Sequence, residues 1–259
     1  MTNCLSNSKF ANLLFVNVRI RELEATALFD TGAGMTVITQ SLLEKLGGAA
    51  DSGALSAGNS NGLVRKLRTA VISDIRLGDI CIGELRVIVT DDSDLDLCGD
   101  NGTVFPAGML LGWDVISRYC WIYSAENGSL TVSAPKSVPA APDPDTKLGP
   151  VVFPEHDGRR FKARVDTGHT GSVLSAVWHT RLPDIERHEA EIVGVGSREC
   201  VSVPYVRVFP ILFQGRPADL RDVDICGEIY GQPEDIEALL GYDLLEGRSW
   251  QLDREFQLL

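Results

Sequence analysis

Asp30 and Asp166 each close an apolar run and open an Asp-Thr-Gly triplet, in Ala27-Leu28-Phe29-Asp30-Thr31-Gly32 and Ala163-Arg164-Val165-Asp166-Thr167-Gly168. A carboxylate after a strand-like run and before Thr-Gly sits on a tight turn, where glycine permits positive φ and close backbone approach. Two such turns can face each other. When two carboxylates share one small site, their repulsion raises one pKa, and a single proton is held between them near working pH. That state contains a base able to deprotonate a water and an acid able to protonate a developing oxyanion. This chemistry requires neither metal nor cofactor, and none is expected. Thr31 and Thr167 bring hydroxyls suited to bonding across to the opposite loop, a preorganising role rather than a proton-transfer one.

The two triplets belong to a duplication. Asp166 lies 136 positions after Asp30. Leu110-Leu111-Gly112-Trp113-Asp114 recurs 129 positions later as Leu239-Leu240-Gly241-Tyr242-Asp243. Between these pairs, Asp94-Leu95-Asp96-Leu97-Cys98-Gly99-Asp100 recurs 128 positions later as Asp222-Val223-Asp224-Ile225-Cys226-Gly227-Glu228. Three collinear matches mark two homologous halves. Prolines at 135, 139, 142, 144 and 150 make the stretch between them an extended spacer,. At roughly 3.1 Å per residue it reaches on the order of 50 Å, enough to cross a small domain. The expected organisation is a lobe at 1–133, a linker at 134–148 and a second lobe at 149–259.

The elements that must position the aspartates read mainly as strands: Leu13 to Ile20 and Ala25 to Phe29 before Asp30, and Val71 to Ile82 and Glu84 to Thr90 after it,. Short helices are expected at Gln40 to Leu46, closed by Gly47 and Gly48, and from Trp113 and Asp114, with counterparts after Ser175 and Gly241,. The fold class is all-β with minor α.

Composition narrows the partners. The 259 residues are 44% hydrophobic and 23% charged, as in an ordinary globular chain able to bury a core,. A formal charge of -12 repels phosphate backbones and excludes nucleic acid as a natural partner,. No apolar run reaches the roughly 18 residues of a spanning helix, and the start lacks a basic region followed by an apolar one, so neither membrane insertion nor secretion is expected,. Six irregularly spaced cysteines fit reduced thiols and a cytoplasmic setting,.

Asp30-Thr31-Gly32-Ala33, the following Met35-Thr36-Val37-Ile38 and the late Leu110-Leu111-Gly112-Trp113-Asp114 resemble the retropepsin-like aspartic proteases, and the resemblance runs over nearly the whole chain, twice. The stretches Gly112 to Ile116, Trp121 to Tyr123 and Gly128 to Val132 are similar to the helix and closing strand of retroelement proteases, and Gly241 to Leu259 is a shorter second copy. The resemblance implies a duplicated acid-protease-like β-barrel, with two pseudo-symmetric lobes and the site between them. It implies an aspartic endopeptidase acting on polypeptide, with catalytic Asp30 and Asp166 and supporting loop residues Thr31, Gly32, Ala33, Thr167, Gly168 and His169. The glycine motif is expected beneath the catalytic loop. Hairpin flaps over the bound peptide fall at Gly58 and Asn59 and at Gly194 and Gly196. Because one chain carries both aspartates, it is expected to act as a monomeric pseudo-dimer, in that respect like pepsin.

One position departs from the family pattern: His169 stands where a small residue follows Asp-Thr-Gly. Its imidazole either points outward or disturbs the dyad, and a nearby cation would favour the ionised carboxylates. This residue motivates the alternative reading, a peptide-binding module that keeps the groove without effective catalysis. The acidic segments from Asp94 and Asp222 suit strands better than a Ca²⁺ loop, because apolar residues alternate through them,. Cys98 and Cys226 read as small buried residues beside glycine,. His156, His179 and His188 lack zinc-type spacing,.

Overall fold

A computed structural model describes residues 2–5, 7–10, 12–58, 64–98, 104–134, 149–194, 197–227, 229, 235–253 and 255–259. The strand Leu13–Ile20 shows how the sequence builds the core. Leu14, Val16, Val18 and Ile20 enter the main apolar core, while Leu13 and Phe15 enter a smaller cluster on the other side. The strand Leu23–Phe29 repeats this division: Ala25, Ala27 and Phe29 face the main core and Leu28 the smaller one. Burying each large apolar side chain contributes about 1.5–3 kcal/mol, which fixes the strand register and therefore the place where Asp30 emerges.

In the first half eight strands form one sheet, in the order Asn7–Phe10, Leu13–Ile20, Leu23–Phe29, Met109–Leu111, Val37–Thr39, Ile80–Thr90, Val64–Leu77 and Asp51–Gly58. The sheet curls, because Leu13–Ile20 also pairs with Val64–Leu77 through Arg19↔Arg76 and Ile20↔Ile75. In the second half a nine-stranded sheet repeats the arrangement around Ala163–Val165 and Ala238–Leu240. A third sheet takes strands from both halves, in the order Thr2–Leu5, Ser129–Ser133, Cys120–Ser124, Trp250–Leu252 and Phe256–Leu258. Trp121↔Leu252, Ile122↔Gln251 and Tyr123↔Trp250 are the pairs that join the halves there.

The chain is all-β with minor helix, as expected. The helices Gln40–Lys45 and Trp113–Ile116 form where the caps indicated, with Thr39 capping the first through its hydroxyl,. Their counterparts are the 3₁₀ turns Ala176–Trp178 and Tyr242–Leu244. One boundary differs from the sequence reading. The strand expected over Val71 to Ile82 turns at Gly78, which adopts φ 59°, so the hairpin closes on Leu77↔Ile80. Gly83, expected to separate two strands, instead lies within Ile80–Thr90, where a register shift absorbs it opposite Ile75,.

The acidic repeat segments are also only partly strand. Asp92–Leu95 is a 3₁₀ turn before the short strand Asp96–Cys98, whereas Asp222 to Ile225 completes the strand Arg216–Ile225. Among the described residues no helix is long and apolar enough to cross a membrane, and no cluster of His, Cys, Asp and Glu is arranged to hold a metal ion. The Pro-rich spacer falls mostly in 135–148, outside the described residues.

Candidate active site

Each aspartate emerges at the end of a strand held in parallel pairing with the strand of its own half's glycine motif. Met109–Leu111 pairs with Ala27, Leu28 and Phe29, and Ala238–Leu240 pairs with Ala163, Arg164 and Val165. The last rung in each case is an aspartate N–H, from Asp30 to the Leu111 carbonyl at 3.1 Å and from Asp166 to the Leu240 carbonyl at 2.9 Å. Beneath Asp30, the Phe29 ring lies 4.9 Å from Trp121 and 5.9 Å from Trp250, so residues of both halves seat this strand end.

The sequence brought Asp30 and Asp166 together by analogy; the structure places them against each other's loops. A Cβ built on Gly32 would lie 2.3 Å from the Asp166 carboxyl carbon, and one on Gly168 would lie 2.2 Å from that of Asp30. Glycine is therefore required at both positions by the opposite carboxylate. Thr31 and Thr167 are fully buried and reciprocal. The Thr31 N–H donates to the Thr167 hydroxyl at 3.1 Å and the Thr167 N–H to the Thr31 hydroxyl at 3.1 Å. The hydroxyls in turn donate to the Val165 and Phe29 carbonyls, each at 2.7 Å.

Asp30 Oδ1 accepts the N–H groups of Gly32 at 2.8 Å and Ala33 at 3.0 Å, and Asp166 Oδ1 accepts that of Gly168 at 3.0 Å. Burial pushes Asp30 up to about 8, reinforced by the charge of Asp166 and opposed by those two N–H groups. Burial also raises Asp166, against the N–H groups of Gly168, His169 and Gly32. Two adjoining buried carboxylates, both raised, can share a proton between them,.

His169 is exposed, and its imidazole turns back on its own loop, with Nδ1 donating to the Gly171 carbonyl at 2.5 Å. Only its backbone supports Asp166. The flap candidates sit at hairpin ends. Gly58 closes the strand Asp51–Gly58 opposite Val64, and Gly194 closes Glu186–Gly194 opposite Ser197. Asn59 and Gly196 lie outside the described residues.

Four polar residues assigned no role from sequence complete the loops. The Thr36 hydroxyl donates to Asp114 Oδ1 at 2.8 Å and accepts the Gly112 N–H at 3.1 Å. The Ser172 hydroxyl donates to Asp243 Oδ1 at 2.8 Å and accepts the Gly241 N–H at 3.0 Å. A signal was present: Ser172 follows Thr36 by the same 136 positions that separate the aspartates. The glycine motif lies under the loop, as the resemblance implied, and space demands its glycine. A Cβ on Gly112 would meet the Met35 carbonyl carbon at 2.5 Å, and one on Gly241 the Gly171 oxygen at 2.2 Å.

The remaining singled-out residues lie elsewhere. His156 stacks on Phe209 with Nδ1 2.7 Å from the Pro210 carbonyl, His188 meets Asp224 at 2.7 Å, and His179 is exposed. Cys226 is half-buried rather than buried, and desolvation, with the charge of Asp224, pushes its thiol up to about 11. The Cys98 side chain falls outside the described residues.

A duplicated β-rich chain with an Asp-Thr-Gly loop in each half, the two loops interlocked by their threonines, defines the aspartic-protease class of fold. The aspartyl protease family model matches residues 16–115. The crystal structure of an aspartic proteinase from Irpex lacteus is similar over 98% of this chain and 94% of that one, with a TM-score of 0.54 at 12% identity. A retropepsin-like aspartic protease from Rickettsia conorii aligns with 51% of this chain and 90% of its own, with a TM-score of 0.35 at 13% identity. Comparison with curated proteins returns no matching relative. The likeness to the Irpex lacteus enzyme is one of fold, and the family model matches the first half of the chain alone.

Proposed function

We propose that the protein is an aspartic endopeptidase that hydrolyses peptide bonds through a water activated by Asp30 and Asp166. The observation that carries this reading is the placement of each carboxylate against the glycine of the opposite loop, with the loops locked by reciprocal threonine bonds. The ionised member takes a proton from the water as its oxygen attacks the peptide carbonyl. The protonated member donates to the carbonyl oxygen as it becomes an oxyanion, and the proton taken from water then serves the leaving amine. The elevated Asp30 supports a singly protonated pair near neutrality.

In this reading the two halves, 1–133 and 149–259, act as retropepsin-type barrel lobes joined by 134–148, and one chain supplies the whole site as a monomer. The hairpins ending at Gly58 and Gly194 are the flaps. Cytoplasmic action fits the free thiols of Cys4, Cys81, Cys200 and Cys226,. The alternative, a groove that binds without cutting, draws on His169, whose exposed ring bonds to the Gly171 carbonyl.

The test is incubation of wild-type, Asp30→Asn and Asp166→Asn proteins with a diverse peptide library from pH 4 to 8, with new termini read by mass spectrometry. Cleavage by wild type alone is expected. Peptide binding without cleavage at any pH would transfer the reading to a binding module, and cutting by either variant would refute the dyad.

A further inference from the structure

Behind each catalytic loop lies a second carboxylate whose surroundings are matched across the halves. Asp114 stands two residues after Gly112, and Asp243 two after Gly241. Both are taken largely out of solvent, and burial raises both. Asp243 Oδ2 accepts the Ser172 N–H at 3.0 Å, and its Oδ1 accepts the Ser172 hydroxyl at 2.8 Å and the Leu244 N–H at 2.9 Å. Asp114 is met in the same way by the hydroxyl and N–H of Thr36 and the N–H of Val115.

The proton count shows what these carboxylates do. A hydroxyl has one hydrogen, and those of Thr36 and Ser172 already accept the N–H of Gly112 and Gly241, so their single protons go to the carboxylates,. The next residues clasp the catalytic loop itself. The Trp113 N–H donates to the Ala33 carbonyl at 2.7 Å, the Tyr242 N–H to that of His169 at 2.7 Å, and the Asp243 N–H to that of Thr170 at 3.1 Å. Ala33 and His169 are the residues that directly follow Asp-Thr-Gly. An ionised carboxylate, acceptor at both oxygens, is the side chain that satisfies this ring of donors.

We infer that Asp114 and Asp243 are positioning residues, one for each catalytic aspartate, which hold the Asp-Thr-Gly loops in register through Thr36 and Ser172. The inference rests on the hydrolytic reading of the dyad and extends it. The charged or titratable groups facing them are Arg118 beside Asp114 and His169 beside Asp243. Exchange of either carboxylate for an amide turns a donor toward donors and releases the loop, shifting a reacting carboxylate while the substrate groove stays in place.

The experiment is a ¹³C carboxyl NMR titration of aspartate-labelled wild type, Asp114→Asn, Asp243→Asn, Thr36→Val and Thr36→Ser, with steady-state kinetics on a peptide cleaved by the wild type. Asp30→Asn and Asp166→Asn assign the dyad signals. The amide variants and Thr36→Val are expected to move the upper dyad titration by about one unit. They are also expected to lower kcat by about 10²-fold, with KM nearly unchanged. Thr36→Ser, which keeps the hydroxyl, is expected to retain the wild-type titration and kcat. A raised dyad titration in wild type that stays in place in every folded variant overturns the inference and leaves the hydrolytic reading intact. Absence of a raised titration in wild type refutes both. If the amide variants fail to fold, equal titrations in Thr36→Val and Thr36→Ser overturn the inference by themselves.

Discussion

The Thr31 and Thr167 hydroxyls each accept the other residue's backbone N–H at 3.1 Å and donate to a carbonyl of the opposite half at 2.7 Å. Four hydrogen bonds thus cross the interface directly beside the carboxylates, all among buried groups. Each bond joins a threonine hydroxyl to backbone of the opposite half, so the two loops are tied together without use of the carboxylates themselves.

Thr31→Val keeps the shape and removes the hydroxyl, leaving the Thr167 N–H and the Val165 carbonyl without their partner. Each buried group left unpaired costs about 1–3 kcal/mol. Guanidinium unfolding is expected to show a loss of this order for Thr31→Val and for Thr167→Val, and much less for the Ser variants. Equal stability of the Val and Ser variants would show that the cross-bonds contribute nothing net.

The dyad also predicts a stability profile. A free aspartate titrates near 3.9, whereas burial and Asp166 lift Asp30 to about 8,. The folded state then binds more protons than the unfolded state between those values, so stability falls as pH rises through this window. The contribution is fully present below about 4 and is lost by about 8. Asp30→Asn cannot titrate there, so wild type minus Asp30→Asn stability is expected to decline across pH 4–8. Cleavage is expected to fall as pH passes about 8 and the shared proton leaves. A difference that stays flat across the window would contradict the raised dyad.

Glycine substitutions should separate by what surrounds them. Ala at 241 would put a methyl 2.2 Å from the Gly171 oxygen, and Ala at 112 would put one 2.5 Å from the Met35 carbonyl carbon. Both obstacles are backbone, so the loop must move. A cost of about 1–3 kcal/mol or more is expected, with loss of activity. Gly171→Ala meets nothing within 4 Å and is the control, expected to unfold within about 0.5 kcal/mol of wild type,. A Gly241→Ala protein as stable and active as this control would show that the loop does not rest on the motif.

Much of this site was legible because duplication writes it twice. Asp30 with Asp166 and Thr31 with Thr167 share one displacement, and the strand pattern before them fixes where they emerge. Thr36 carries the same displacement to Ser172, but its partner Asp114 lies 78 residues away, and only the pairing of Met109–Leu111 with the strand Leu23–Phe29 brings them together. The hairpin at Gly78 was misplaced because two glycines, Gly78 and Gly83, both offer positive φ, and periodicity does not choose the one that turns the chain. The sheet that joins Cys120–Ser124 to Trp250–Leu252 was hidden for another reason: an edge strand carries no mark of its partner,. A side-chain rotamer is the least legible feature, and His169 is the example.

The ring of His169 is exposed and bonds to the carbonyl of Gly171, while its backbone N–H faces Asp166 and its carbonyl accepts the Tyr242 N–H. Everything the dyad receives from this residue is main chain, which any residue supplies. His169→Ala is therefore expected to leave kcat/KM within about twofold to threefold of wild type, the range that a surface change of about 0.5 kcal/mol allows. Its ring lies within electrostatic reach of Asp243, so the variant's effect is expected to appear, if anywhere, in the pH dependence of kcat rather than in KM. Steady-state kinetics from pH 4 to 8 check this. A loss of 10-fold or more at every pH would place the imidazole at the reacting centre, against its bond to Gly171.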